Sequence, residues 1–251
     1  MEMTTYPPGI PSWIELPAPD PVRAAAFYSK LFEWQVEEPD EAERRIAYLH
    51  DKPVAGFMPK YQPGRTEWLT YVCVDDADAT AEAVRQAGGH VIFEPADVLD
   101  AGRAAVFADT TDARFAVWQP RKQHGAVLVN EPGTLRRNEL ETRQPELAIP
   151  FYQAVFGWQP VSENVGPRRL YDWHLYDRTV AGMLPMDDSH PAELPSHWMV
   201  YFDVADVDDT AERVRHIGGT VYVPPSDVSV GRFAVLGDSQ GAVFGALRLK
   251  G

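Results

Sequence analysis

The chain lacks the features of membrane and secreted proteins. Among its 251 residues there is a single cysteine, Cys73, so no disulfide can form within the chain. No apolar run approaches the roughly 18 residues that a membrane-spanning helix needs. The first residues, MEMTTYPPGI, show neither the basic nor the apolar segment of a signal peptide. We therefore expect a cytoplasmic protein, kept in a reducing compartment, with no membrane as partner.

Basic residues are in the minority. The chain has 23 Lys and Arg against 37 Asp and Glu, a formal net charge of −14. Because nucleic-acid backbones are bound through a basic face, this balance argues against a nucleic acid as partner. An acidic surface keeps a protein soluble, and it tolerates cationic small molecules. Hydrophobic residues make up 45% of the chain, which predicts a packed core.

What the chain does contain is repetition. FYSKLFEW at 27–34 returns as FYQAVFGW at 151–158, with aromatic residues at the same helical spacing. The stretch EWLTYVCVDDADATAEAVRQAGGHV, which begins at Glu67, matches HWMVYFDVADVDDTAERVRHIGGTV, which begins at His197. VAGFMP and VAGMLP match in the same order along the chain. The chain is therefore expected to consist of two homologous halves.

The halves cover about 10–120 and 136–249, and residues 121–135 join them as a linker. Each half divides again into two units of the order strand, helix, strand, strand, strand, so the unit occurs four times. Asp20 followed by Pro21 is a favoured helix start. Because hairpins predominate, we expect an α+β fold of two tandem domains. In each domain, two βαβββ modules form a curved, mostly antiparallel sheet around a cleft.

The alternation of side chains along strands separates a core face from a cleft face. Trp34 and Trp158 end helices and are predicted to pack in the core. Trp68 and Trp198 are next to cleft positions in the sequence, so their side chains point to the opposite face of the sheet. They are also predicted to be core residues. The ligand-binding candidates are those expected on the cleft face: Trp13, Glu15, Tyr48, Leu69, Tyr71, Ala116 and Trp118 in the first half, and Arg137, Glu139, His174, Tyr176, Met199, Tyr201 and Gly245 in the second.

PDPVRAAAFYSKLFEW, VDDADATAEAVRQAGG and DSQGAVFGAL together resemble the vicinal oxygen chelate superfamily. This superfamily includes glyoxalase I, extradiol dioxygenases and bleomycin-resistance proteins. The chain resembles its tandem two-domain members over almost the whole length. The resemblance implies curved sheets that enclose clefts, and it leaves function open, because the superfamily includes both metalloenzymes and metal-free binders.

The resemblance also implies where metal ligands would stand. Its metalloenzymes commonly use two His and one Glu on cleft-facing strands. The corresponding positions here are Trp13, Leu69 and Ala116 in the first half and Arg137, Met199 and Gly245 in the second, with a fourth near Gly56 and Gly182. Apart from the weak thioether of methionine, none of these side chains can bind a divalent metal. We therefore expect no metal and no cofactor.

A displaced metal site is the competing interpretation. Glu15 or Glu139 could combine with His197 and His174 if the register were shifted by two residues. The simpler alternative is that both glutamates are half-buried acids paired with arginine.

The function that these residues favour is metal-independent binding of a small aromatic molecule. Aromatic walls with a few acidic groups suit a planar ligand, and a cationic group on that ligand would meet a carboxylate or a ring face. Sequestration or carriage of an antibiotic or secondary metabolite, as in bleomycin-resistance proteins, is the expected mode.

Two alternatives remain open at this point. One is a divalent-metal-dependent glyoxalase or dioxygenase. The other is a metal-free enzyme in which His174 acts as general base beside Asp172 or Glu139. Either a monomer or a homodimer is compatible with the sequence, since the two halves already supply the pairing that single-domain relatives obtain by dimerising.

Overall fold

The computed structural model of the chain describes residues 1–60, 64–165 and 168–250. The first half contains strands β1 (Pro11–Ala18), β2 (Gln35–Val36), β3 (Arg45–Leu49), β4 (Lys52–Pro59), β5 (Leu69–Cys73), β6 (His90–Val98), β7 (Gly102–Ala108) and β8 (Arg114–Pro120), and helices α1 (Pro21–Phe32) and α2 (Ala77–Gln86). The second half contains strands β9 (Leu135–Thr142), β10 (Gln159–Val165), β11 (Arg168–Leu175), β12 (Arg178–Pro185), β13 (His197–Asp203), β14 (Thr220–Val228), β15 (Gly231–Gly237) and β16 (Val243–Leu249), and helices α3 (Pro145–Phe156) and α4 (Val207–His216).

Each half forms one eight-stranded mixed sheet. The strand orders are β2-β3-β4-β1-β5-β8-β7-β6 and β10-β11-β12-β9-β13-β16-β15-β14. In the first sheet β1 pairs with β4 and β5 pairs with β8 in parallel, and the other neighbours are antiparallel. The predicted α+β class with tandem, mostly antiparallel sheets is therefore confirmed.

The two modules of each half meet at the centre of the sheet. β1 runs antiparallel to β5 with Trp13 opposite Tyr71 and Glu15 opposite Leu69. Because paired residues project to the same face of a sheet, these four side chains share one surface. β9 and β13 repeat the arrangement in the second half.

Helix starts follow the capping chemistry of the sequence. The Asp20 side chain accepts a hydrogen bond from the Arg23 backbone N–H, and Pro21 is the first helical residue. Asp76 and Asp206 cap α2 and α4 in the same way. α3 begins differently, because Gln144 at its N-cap makes no such bond. Among the helices of the described residues, none combines the length and the apolar composition needed to cross a membrane.

The repeated aromatic octets build the contact between the two halves. The ring of Tyr28 on α1 lies 5.5 Å from the ring of Phe244, on the sheet of the second half. The ring of Tyr152 on α3 lies 5.7 Å from Phe115 on the first sheet. Trp34 and Trp158 are 3% and 0% exposed, which confirms their predicted place in the core. Each half therefore covers the helix-bearing face of the other.

A chain of buried hydrogen bonds crosses this contact. The Trp198 Nε1 donates to the Tyr152 hydroxyl at 2.9 Å, and this hydroxyl donates to Asp109 Oδ2 of the first half at 2.8 Å. At the other octet, Trp68 Nε1 donates to the Tyr28 hydroxyl at 3.0 Å within the first half. Trp68 and Trp198 are therefore core residues, as predicted.

We expect Tyr152→Phe to lower the free energy of unfolding by about 2 kcal/mol, because it leaves a buried indole N–H and a buried carboxylate oxygen without a partner. Urea denaturation measures the change. Tyr222→Phe is the control, since Tyr222 is 54% exposed and its hydroxyl is free to bond water. Equal stability of the two variants would contradict a structural role for the Tyr152 hydroxyl.

Candidate functional site

The cleft of the first half holds a cavity of about 370 Å³ on the sheet face away from the helices. Residues of β1, β4, β5, β6, β7 and β8 line it. Its apolar walls include Met58, Leu69, Ile92, Phe93, Val98, Ala104, Val106 and Trp118. Its charged residues are Glu15, Arg44, Lys60, Arg65, Glu67, Glu94 and Arg114. A largely apolar cleft with few polar groups is the usual form of a small-molecule site.

Glu15 is a buried carboxylate beside this cavity, and both of its oxygens are engaged. Arg44 Nε donates to Oε1 at 2.7 Å and the Tyr71 hydroxyl donates to Oε2 at 2.7 Å. Glu15 is 1% exposed. Gly56 lies opposite it in the register, and a Cβ there would stand 2.8 Å from Glu15 Oε1. The close approach of the carboxylate explains why this position is a glycine.

The other two groups of this cluster are held in defined protonation states. Burial and the neighbouring Glu15 raise the pKa of Tyr71 well above its usual range, so the hydroxyl stays protonated as a donor. The guanidinium of Arg44 lies 5.5 Å from the ring centroid of Trp118. The indole N–H of Trp118 donates to the Gln123 carbonyl at 2.8 Å. Arg44 is thus fixed between a carboxylate and an aromatic ring.

The second half has a half-buried glutamate, Glu139, at the matching position, and its arginine partner comes from a different part of the sheet. Arg137 Nε donates to Glu139 Oε2 at 3.0 Å, and Arg137 Nη2 donates to Asp172 Oδ1 at 2.7 Å. Arg137 stands where the first half has Trp13, whereas the position of Arg44 is occupied by Leu170. The predicted pairing of both glutamates with arginine is confirmed, and the predicted half-burial holds for Glu139 but not for Glu15, which is fully buried.

Larger side chains occupy the second cleft. The ring of Tyr201 lies against Gly245, where an added Cβ would stand 2.0 Å from Tyr201 Cδ1. Met199, Tyr201 and Leu247 form a buried apolar cluster with Phe233 packed against it. Phe233 corresponds to Ala104 of the first half. The side chains on the cleft faces of the two halves therefore differ.

Glu141 and His197 form a buried cross-strand pair at the edge of the second cleft. They lie opposite each other in the register, with 3.7 Å between His197 Nε2 and Glu141 Oε2. Burial, together with the charge of Glu139, raises the pKa of Glu141 to about 8. Burial also lowers the pKa of His197 to about 4. At neutral pH both side chains are therefore uncharged.

Comparison with protein families agrees with this architecture. Residues 135–244 match the profile of the Glyoxalase/Bleomycin resistance protein/Dioxygenase superfamily, and residues 13–118 match that of a Glyoxalase-like domain. The protein CFP32 of Mycobacterium tuberculosis, which carries the name glyoxylase, is 39% identical over 254 residues, 97% of this chain and 96% of CFP32. The chain belongs to the glyoxalase/bleomycin resistance protein/dioxygenase superfamily.

Other relatives of this superfamily member carry different names. The anthracycline biosynthesis protein DnrV of Streptomyces peucetius is 36% identical over 268 residues, 99% of this chain and 96% of DnrV. Among solved structures, the Mn(II)-bound glyoxalase of Novosphingobium aromaticivorans matches with a TM-score of 0.66 at 18% identity, over 96% of this chain and 82% of that one. The 2,3-dioxygenase LapB of Pseudomonas sp. KL28 matches with a TM-score of 0.65 at 12% identity, over 95% and 91%. These two structures share the fold.

The side chains present do not fit the divalent metal that this superfamily's enzymes use. In the first half, indole, aliphatic and methyl groups of Trp13, Leu69 and Ala116 occupy the expected ligand positions. The nearby carboxylate, Glu15, has both oxygens taken by Arg44 and Tyr71. Over the described ranges, no group of three or more His, Cys, Asp or Glu side chains is placed to hold a metal ion. The displaced Glu/His/His site does not assemble among those residues.

The structure brings some of the predicted site residues together. Glu15, Leu69, Tyr71 and Trp118 line the first cavity. Trp13 and Ala116 lie on the same sheet face but are fully buried and outside the lining. In the second half, Glu139 contacts Arg137 and lies opposite Met199, and Tyr201 contacts Gly245.

The strand placement of Tyr176 is wrong, because Tyr176 lies in the turn between β11 and β12, with a φ of 52° and 59% exposure. Tyr48 is half-buried, donates to Glu37 Oε2 at 3.1 Å and lies outside the lining of the first cavity. His174 lies at a β-bulge with its Nε2 3.2 Å from Thr179 Oγ1. Both of the acids suggested as its partners, Asp172 and Glu139, are bound to Arg137.

Sequence reasoning missed Arg44 and the basic residues at the cavity mouth. Arg44 comes directly before β3 and shares its alternation with Ile46, so it could have been placed on the cleft face. Lys60 and Arg65 lie in connecting segments, where no periodicity marks a direction. Arg114 begins β8 and shares the alternation of Ala116 and Trp118, which places it on the cleft face. A signal for Arg44 did exist, because a glutamate in the centre of a sheet requires a cationic partner.

The raised pKa of Glu141 predicts a pH-dependent stability. The folded chain keeps a proton that the unfolded chain releases near pH 4.5, so the folded state binds more protons and stability falls as pH rises from about 4.5 to about 8. We expect wild type to lose about 1 kcal/mol between pH 7 and pH 9 relative to Glu141→Gln. Urea denaturation at both values measures it.

His197→Gln is the control for this comparison, since His197 is uncharged in the folded protein at both pH values and only about a quarter protonated in the unfolded chain at pH 7. It should change the pH dependence of wild type by no more than about 0.2 kcal/mol. Parallel stability curves for wild type and Glu141→Gln would show that Glu141 is ionised in the folded protein.

Proposed function

We propose that the chain binds a planar, largely apolar aromatic metabolite in the first-half cavity without a metal ion, and that it sequesters or carries this molecule. The observation that carries the proposal is the closed Glu15 cluster. Because Arg44 and Tyr71 take both carboxylate oxygens, the floor of the cavity offers ring faces and hydrogen-bond donors in place of metal ligands.

The shape of the lining supports a flat ligand. The Trp118 ring packs on Gly102, where an added Cβ would stand 2.5 Å from Trp118 Cζ2. Ala104 is the cross-strand partner of Trp118, and its methyl group leaves space beside the indole. Leu69 closes the same wall from β5. Aromatic faces next to small side chains form a slot for stacking.

The relatives support an aromatic ligand of secondary metabolism. DnrV and the similar DauV of a Streptomyces species are named anthracycline biosynthesis proteins, and both match this chain over 99% of its length. An anthracycline carries a planar fused-ring system. The name glyoxylase of CFP32 points to the same superfamily. These relatives suggest a planar ring system as the ligand of the cavity, and they do not identify one compound.

The cavity does not favour the cationic ligand that the acidic composition suggests. Glu15 is paired with Arg44, and Glu94 accepts from Arg85 Nη2 at 2.6 Å and 2.8 Å. These carboxylates are therefore already neutralised. A ligand amine would have to displace an arginine to reach either of them.

We expect Ala104→Trp to weaken binding of planar aromatic probes at least about tenfold, because the new indole fills the slot beside Trp118. The probes are 2-naphthol and anthraquinone, added to chelator-treated protein, with tryptophan fluorescence as the readout. Phe233→Trp at the matching position of the second half is the control and should leave binding unchanged.

Two results would contradict the proposed function. One is the absence of quenching by every planar probe. The other is quenching that appears only after Mn²⁺, Zn²⁺, Ni²⁺ or Fe²⁺ is restored, which would move the protein to the metal-dependent enzymes of the superfamily.

A further inference from the structure

We infer that Arg44 is the residue that selects the ligand of the first-half cavity, and that this ligand is an aromatic compound bearing an anionic group with two neighbouring acceptor oxygens, such as an aromatic carboxylate. The inference rests on the proposed function, which places a planar ring in the same cavity. It adds the chemical class of the group that the ring carries.

Arg44 is buried, yet its outer nitrogens have no acceptor among the residues that the structure describes. Only 6% of the residue is exposed. Its side chain makes one hydrogen bond within the described part of the chain, from Nε to Glu15. Arg44 lines the cavity. Its Nη atoms are not completely buried without a hydrogen-bond partner. The Nη groups are therefore open to whatever occupies that space.

The guanidinium is also held in one orientation. Glu15 fixes its Nε edge, and Trp118 lies against it at 5.5 Å. Tyr71 in turn holds the Glu15 carboxylate from the other oxygen. A planar guanidinium offers parallel N–H donors that match two oxygens of one carboxylate. Because the donors are fixed before the ligand arrives, little entropy is lost when it binds.

Further positive charge lies at the mouth of the same cavity. Lys60, Arg65 and Arg114 line it. Of the acidic lining residues, Glu15 and Glu94 are paired with arginine, and Glu67 lies 3.8 Å from Arg114 Nε. A cluster of cations at one cleft of a protein with net charge −14 attracts anions locally against the overall field.

The second half lacks this arrangement. Leu170 stands at the position of Arg44, and the guanidinium of Arg137 is bound by two carboxylates, Glu139 and Asp172. The single positive charge of Arg137 is therefore outweighed by the two carboxylates that bind it. We therefore assign anion selection to the first cavity alone.

The experiment compares three naphthalene probes of similar size on chelator-treated protein at neutral pH. They are 3-hydroxy-2-naphthoate, which is anionic, 2-naphthol, which is neutral, and 2-naphthylmethylamine, which is cationic. Calorimetry gives each affinity. We expect wild type to bind the naphthoate at least about tenfold more tightly than 2-naphthol, and the amine most weakly.

A double variant removes the donor without leaving an unpaired buried charge. Glu15→Gln combined with Arg44→Met should bring the naphthoate to within about threefold of 2-naphthol while 2-naphthol binding persists. Asp208→Asn with Arg232→Met removes an exposed pair of the same kind on the second half, in which Arg232 Nε lies 2.7 Å from Asp208 Oδ2. This control should keep the preference of wild type.

Arg44→Lys supplies a second variant with the charge retained and the paired donors lost. It should keep part of the naphthoate preference.

The comparison of probes on wild type is decisive even if a variant fails to fold. Equal binding of naphthoate and 2-naphthol overturns the role of Arg44 and leaves the aromatic site intact, whereas binding of none of the probes overturns the proposed function itself.

Discussion

A carboxylate at the centre of each sheet, fully buried in the first half and half-buried in the second, is the constraint on which both clefts depend. Glu15 and Glu139 occupy matching positions on β1 and β9, next to the seam where two modules join. An ionised carboxylate in such a place must be paired, and removing one partner of a buried pair costs about 3–5 kcal/mol. Each half meets this demand with one arginine, and the arginine comes from a different strand in each. That single difference gives the two clefts unlike shapes and charges.

The source of the arginine decides what else the cleft can do. In the first half Arg44 reaches in from the edge of β3, so the β1 position remains free for Trp13 and the cavity stays open beside Trp118. In the second half Arg137 rises from β9 itself and ties Glu139 to Asp172 across the sheet. This ion pair lies on the face of the second sheet that matches the cavity-lining face of the first. The duplicated fold thus combines a cavity beside Trp118 in the first half with an Arg137 ion-pair network at the matching place of the second.

Much of the fold could be predicted because its signals are local. Internal repeats and Asp-Pro at 20–21 predict the four modules and the start of the first helix. The module order predicts a strand after α1 and another after α3, but neither β2 nor β10 shows a clear alternation that would fix its position. The site was less predictable, because Glu15 and Arg44 are 29 residues apart and only the folded sheet brings them together. Tyr176 was misplaced for another reason: its tight turn uses positive φ at Tyr176 and Asp177, without the Asn-Gly or Gly pair that usually marks such a turn.

The exchange of aromatic helices between the halves has an evolutionary consequence. Phe32 on α1 packs 4.9 Å from Phe202, and Phe115 lies 5.9 Å from Phe151 on α3, so each domain completes its hydrophobic core with residues of the other. A half made alone would leave a broad apolar surface in water and would self-associate. Two identical copies of one half could cover the same surfaces, so duplication and fusion of a self-associating half is a route to this arrangement. Each domain then constrains the other through their shared core, whereas the linings of the two clefts can diverge.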